Sequence, residues 1–185
     1  MVITTLDAKT ALIVIDLQKG IVAMPCAHPI GPILEKAAAL AAAFRQRGRP
    51  VVLVNVTGGA PGRTDAPRIT GPFPDGFADL VPELDQQPGD HLVTKQTWGA
   101  FPGTGLTDWI QGQGVTQLVL LGVATSIGVE STAREAHALG LNLTLVADAM
   151  TDRIAEAHDN SIGRIFPRLG EVGTTQEVLD LLASA

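Results

Sequence analysis

Asp16 directly follows the apolar run Ala11-Leu-Ile-Val-Ile15. A carboxylate at the end of a buried strand caps the next turn, or acts as a general acid or base when partly desolvated. Lys95 follows a second short run, His91-Leu-Val-Thr94. A lysine alone is most often a solvated surface group. Paired with Asp16 across adjoining strand ends, it would hold and orient the carboxylate, or stabilise negative charge developing on a substrate. The third candidate is the segment Gly122-Val-Ala-Thr-Ser-Ile-Gly-Val-Glu-Ser-Thr-Ala-Arg-Glu-Ala136. It reads as a buried strand, a tight turn and a helix. A helix N-terminus presents backbone N–H groups and a positive dipole end, so it can hold an anion or oxyanion without a charged side chain. An ordinary turn capped by Thr125 or Ser126 has the same pattern, so the turn alone does not establish catalysis.

Nucleophiles are scarce here. Gly128, inside the turn, has no side chain. Cys26 is the only cysteine, which rules out an internal disulfide. It reads as a small buried or loop thiol, so thiol reagents should leave activity largely intact. Ser126 and Ser131 have no histidine nearby in sequence to activate them. His28, His91, His137 and His158 are scattered without ligand spacing, so neither a catalytic metal nor a cofactor is expected. His137 and His158 are expected on helix faces. Trp98 and Phe101 follow Lys95 closely. Aromatics mostly pack in cores. In a chain with 4% aromatic residues, these two can also wall a substrate pocket. Arg63 and Arg68 read as solvated, with a substrate carboxylate as the alternative partner.

The elements that must position these groups alternate along the chain. Ala11–Ile15, Val51–Val54, His91–Thr94, Leu118–Leu121 and Leu143–Val146 read as short buried strands. Helical spacing places Ile33, Ala37, Leu40, Ala41 and Phe44 on one face, with Gly48 and Pro50 as a stop. Leu106, Trp109 and Ile110 mark a short helix, and Val129, Thr132, Ala133 and Ala136 mark another. Ile154, His158, Ile162 and Ile165 are predicted to share one helix face. Thr174 and Glu177 have capping-box spacing before a last helix. The Gly- and Pro-rich stretch from Thr57 to Gly89 reads as a surface excursion that can cover a ligand. Such alternation implies a parallel sheet covered on both faces, with ligands bound beyond the carboxyl ends of the strands. Asp16, Lys95 and the Ala124–Gly128 turn all fall on that rim.

The chain has 185 residues, 45% of them hydrophobic and 17% charged, which suits one globular domain spanning 1–185. Its net charge of −6, with no basic tract, argues against nucleic acid and anionic membranes as partners. No stretch is long and apolar enough to span a bilayer, and no signal-peptide pattern opens the chain. A cytoplasmic location is the expectation.

Taken together, the segments resemble the isochorismatase-like hydrolase superfamily, many of whose members are cysteine hydrolases. Leu12-Ile-Val-Ile-Asp-Leu-Gln18 looks like its first strand and catalytic aspartate. Val93-Thr-Lys95 with Phe101-Pro-Gly-Thr104 looks like its lysine segment. Gly122-Val-Ala-Thr125 with Val129-Glu-Ser-Thr-Ala-Arg134 looks like its nucleophile segment, and Val146-Ala-Asp-Ala149 is similar to a further landmark. The resemblance implies a three-layer α/β/α Rossmann-like domain with a mostly parallel sheet of about six strands. It puts Asp16, Lys95 and Gly128 at the catalytic positions. It implies a cis peptide before Ala124 and an oxyanion pocket from the Ala124 and Gly128 amides. Thr125, Gln18, Trp98 and Phe101 join these as oxyanion or substrate-binding candidates. A homo-oligomer, dimer or larger, is also implied.

Most members carry cysteine where this chain has Gly128, so a covalent thioester route is closed at that position. True isochorismatases also have glycine there and hydrolyse a vinyl ether without an enzyme nucleophile. They carry histidine where Ser126 aligns. Amidase branches hold zinc or iron with an aspartate and histidines after the second strand, whereas Asn55–Arg63 contains no histidine. The expected function is a metal-independent hydrolase of a small molecule, acting on a vinyl ether or another bond that water attacks after protonation. The alternatives are a catalytically silent member that binds a small ligand or a partner protein, and an amide hydrolase using activated water.

Overall fold

The computed structural model describes residues 2–66 and 72–184. Six parallel strands form one sheet in the order β3-β2-β1-β4-β5-β6. They are β1 (Thr10–Ile15), β2 (Val51–Val56), β3 (His91–Lys95), β4 (Gln117–Val123), β5 (Asn142–Thr151) and β6 (Glu171–Gly173), and a short helix α1 (Lys19–Val22) follows β1. All six residues of β1 are buried, as a strand covered on both faces requires.

Alternate side chains of β1 feed two separate cores. Leu12 and Val14 pack with Ile33, Leu40 and Phe44 of α2 (Ile30–Gln46) and with Val178 and Leu182 of α6 (Thr175–Ser184). Ala11, Ile13 and Ile15 pack on the other face with Leu106 and Ile110 of α3 (Leu106–Gln113) and with Ala133 and Ala136 of α4 (Glu130–Ala138). The result is the expected three-layer α/β/α architecture. The capping box at α6 also forms. The Thr174 N–H donates to Glu177 Oε2 at 2.6 Å, and the Glu177 N–H donates to Thr174 Oγ1 at 3.3 Å.

Strand order decides where a site can form. The chain winds outward from β1 through β2 to β3, then returns to β4 on the other side of β1 and winds outward again. The crevice between the carboxyl ends of β1 and β4 is therefore the topological switch point. Asp16 and Ala124 leave the sheet on its two sides.

Three readings of the sequence change. β5 continues to Thr151 instead of ending at Val146, because its register against β4 shifts between Leu120 and Gly122. The three-residue strand β6 gives too short an apolar run to be read from the sequence. Ile154, His158, Ile162 and Ile165 do not share one helix face. α5 (Ala155–Asn160) passes into a π-helical turn (Ser161–Ile165), and Ile154 lies outside both, exposed, while His158 is buried.

Candidate active site

Asp16 closes β1 in a left-handed conformation, φ 52°, which few residues other than glycine adopt. Its N–H donates to Val54 O at 3.0 Å and its carbonyl accepts from the Gln18 N–H at 2.9 Å, so the bend is held at both ends. The strain turns the carboxylate out of the sheet and over the switch point.

Lys95 ends β3, and β2 lies between it and β1. The two strand ends are therefore not adjoining, as the sequence reading had them. Two interstrand spacings separate them, about 10 Å. The lysine stem and the Asp16 side chain together bridge that distance, and Nζ reaches Asp16 Oδ2 at 2.8 Å and Thr97 O at 3.1 Å. Both residues are buried, Lys95 at 2% exposure and Asp16 at 6%. Among the described residues, Asp16 Oδ1 is buried with no hydrogen-bond partner. Burial raises the Asp16 carboxyl from 3.8 to about 6, against the Lys95 charge and hydrogen bond that lower it. The carboxyl is thus poised to exchange a proton near neutrality, with one oxygen uncommitted.

The turn after β4 faces this pair. Gly122, φ 124°, must be glycine, because a Cβ there would lie 2.1 Å from Ile15 O. The Val123–Ala124 peptide is cis, as the resemblance implied. A π-helical turn, Thr125–Val129, then runs into α4. A Cβ on Gly128 would lie 3.2 Å from Asp16 Oδ2 and 2.9 Å from Ile15 Cγ2. Any side chain at 128 would start beside the carboxylate and press on Ile15. With glycine, backbone and carboxylate face each other directly.

Asp16, Lys95, Ala124, Gly128 and Trp98 line one cavity of about 300 Å³. Its remaining walls include Ile21, Met24, Val56, Val123 and Ile127, so the cavity is mostly apolar. Trp98 stands at the rim, 65% exposed. Three other candidates are placed elsewhere. Gln18 is fully buried and spent on backbone. It accepts from the Val56 N–H at 2.7 Å and donates to Val56 O and Phe77 O at 3.0 and 3.2 Å. Thr125 is buried against His158, with Oγ1 2.8 Å from Nδ1. Phe101 packs in the core beneath α3 and α4. Arg63 is exposed and off the cavity wall, and Arg68 lies outside the described residues.

Cys26 lines the cavity, so a reagent fixed to it would enter the space beside Asp16 and Lys95, and this position speaks against the expectation that its modification is harmless. Burial and the Asp152 charge push its thiol up, so it is no activated thiolate. Ser126 does not line the cavity; its Oγ donates to Asp152 Oδ2 at 2.8 Å. Among the described residues, no three His, Cys, Asp or Glu side chains stand together as a metal donor set. None of the described helices is long and apolar enough to cross a membrane.

The sequence reading missed Arg153 and Asp152. Arg153 lines the cavity. Asp152, 2% exposed, binds the Ser126 N–H at 2.7 Å and the Arg153 N–H at 2.7 Å, tying the end of β5 to the Gly128 turn. The rule that ligands sit beyond strand ends would have found both, had β5 been carried on to Thr151.

Comparison with known proteins identifies the family. Residues 10–177 match the model of the isochorismatase domain. The uncharacterised isochorismatase family protein YwoC of Bacillus subtilis is 42% identical over 179 residues, covering 93% of each chain. The uncharacterised family protein YecD of Escherichia coli O157:H7 is 41% identical, covering 96% of this chain and 98% of its own. The structure of an isochorismatase family protein from Burkholderia thailandensis superposes with a TM-score of 0.93 at 39% identity, covering 97% of this chain and 98% of that one. A family model matched over residues 10–177, with sequence and fold shared along nearly the whole chain, places this protein in the isochorismatase family of hydrolases.

Proposed function

We propose that the chain is a metal-independent hydrolase that uses water and no enzyme nucleophile, with Asp16 as general acid and base. The observation that carries this reading is the Asp16 carboxyl itself. One oxygen is paired with Lys95, the other is buried without a partner among the described residues, and burial raises the carboxyl to about 6. Gly128 offers no side chain to acylate.

A vinyl ether suits these groups. Asp16, protonated on Oδ1, gives its proton to the terminal vinyl carbon, and the new carboxylate is held by Lys95. Water adds to the adjacent cationic carbon and returns a proton to Oδ1. The resulting hemiketal breaks its bond to the ether oxygen, which leaves as an alcohol on taking that proton, while the hemiketal hydroxyl loses its own proton to water. The products are a ketone and an alcohol. The Ala124 and Gly128 amides hold negative charge on the substrate. A cytoplasmic homo-oligomer belongs to the same proposal.

The test is a panel of small vinyl ethers, amides and esters with mass detection, comparing native protein with Asp16→Asn. General acid catalysis predicts a fall of roughly 10²–10⁴-fold in the variant. It also predicts a native kcat/KM that declines above pH about 6, where Asp16 loses its proton. Turnover unchanged in the variant overturns the reading. A profile that declines below pH about 6 instead makes Asp16 a base that activates water, the route an amide would need.

A further inference from the structure

We infer that Arg153 is the specificity-determining residue of this cavity and selects a small, largely apolar molecule bearing one carboxylate. The inference rests on the reading of the cavity as the substrate site and names the substrate class it takes.

Among the described residues, three charged side chains line the cavity: Asp16, Lys95 and Arg153. The first two form an ion pair at 2.8 Å and cancel one another when both are charged. The Arg153 guanidinium then gives the cavity its net charge. The carboxylate that precedes it in sequence is already committed. Asp152 Oδ2 accepts from the Ser126 N–H and Oγ, and Oδ1 accepts from the N–H groups of Arg153 and Ile154. Among the described residues Arg153 makes no salt bridge, whereas Lys19, Lys36, Arg45 and Arg134 each do. Its positive charge reaches Cys26 on the cavity wall, opposing the effect of burial on that thiol.

Position and chemistry agree. Arg153 is exposed, so an anion at the rim keeps part of its hydration while the apolar remainder enters among Ile21, Met24 and Val56. A guanidinium binds a carboxylate through two parallel hydrogen bonds. With Asp16 ionised and paired to Lys95, as above pH about 6, one cationic charge matches one carboxylate. A phosphate monoester, with close to two negative charges, would be left unbalanced. Because Asp152 fixes the Arg153 backbone to the Ser126 turn, an acid held by Arg153 sets the rest of the molecule at a fixed reach from Gly128 and Asp16.

Isothermal titration at pH 7.5 with benzoate, benzamide and phenyl phosphate tests this on the whole protein. Native protein should bind benzoate about tenfold more tightly than benzamide. Arg153→Gln should bring the two within about twofold while leaving benzamide unchanged, and Arg153→Lys should recover part of the preference. No benzoate binding at millimolar concentration, equal affinity for acid and amide, a preference that survives in Arg153→Gln, or tighter binding of phenyl phosphate would each overturn the inference. The titration involves no turnover. An inactive chain that prefers benzoate would therefore refute the hydrolase reading alone, and an active hydrolase indifferent to Arg153→Gln would refute this inference alone.

Discussion

Replacing Asp16 with asparagine should change how stability responds to pH, in a direction fixed by the burial of the carboxyl. The folded Asp16 titrates at about 6 against 3.8 for the ordinary carboxyl. Between those values the folded chain keeps a proton that the unfolded chain has released. Raising the pH therefore favours unfolding, and this contribution is most favourable below pH about 4 and lost by the time pH passes about 6. The full swing is about 3 kcal/mol, of which about 2 kcal/mol falls between pH 4 and 7. Asp16→Asn lacks the titration, while the other carboxylates are shared by both proteins. Urea unfolding of native and variant at several pH values in this window isolates the difference. Native protein should lose about 2 kcal/mol relative to the variant from pH 4 to 7, or roughly 4–8 °C in Tm. A flat difference would show that burial does not dominate at Asp16. A native protein that gains on the variant as pH rises would mean the Lys95 pair wins and the carboxyl is depressed, removing the basis for an acid working near neutrality.

Gly128→Cys should lower native turnover and cost about 1–3 kcal/mol, since its Cβ would press on Ile15 at 2.9 Å. Intact mass after incubation with an activated ester reports whether the new thiol is acylated. Faster native turnover through an acylated thiol would identify a disabled cysteine hydrolase instead. Cys26 should react slowly with iodoacetamide at neutral pH, because burial and Asp152 keep the thiol protonated, and the labelled protein should lose turnover. Cys26→Ser should stay active and resist the reagent; full activity after stoichiometric labelling would put Cys26 off the substrate path. Gly122→Ala should fail to fold stably, because its Cβ would sit 2.1 Å from Ile15 O at a φ of 124°. A soluble variant with native Tm would contradict the close approach of β1 and β4.

The sheet was legible because parallel strands covered on both faces must be apolar without interruption, and Ala11–Ile15, Val51–Val54 and Leu118–Leu121 are. Asp16 and Lys95 were legible as polar residues where such runs end. Their separation by β2 was not, because strand order depends on crossovers and leaves no local mark. Arg153 was hidden for a related reason. The register shift carries β5 through half-buried Ala147 and Asp148, which read as the end of a strand. Gln18 and Thr125 were misjudged because a motif gives residue types and not directions. Both side chains turn inward, to Val56 and His158, and hold the site's loops from behind.

The central claim is that Asp16 transfers a proton to substrate while water, and no protein atom, attacks. Hydrolysis of a vinyl ether in D₂O measures this most directly. If Asp16 protonates carbon, mass spectrometry at early turnover will find one carbon-bound deuterium in each ketone product, and no covalent adduct on the protein. Asp16→Asn will form that product at least about 10²-fold more slowly. A product without carbon-bound deuterium, or a substrate fragment attached to the chain, would contradict the account.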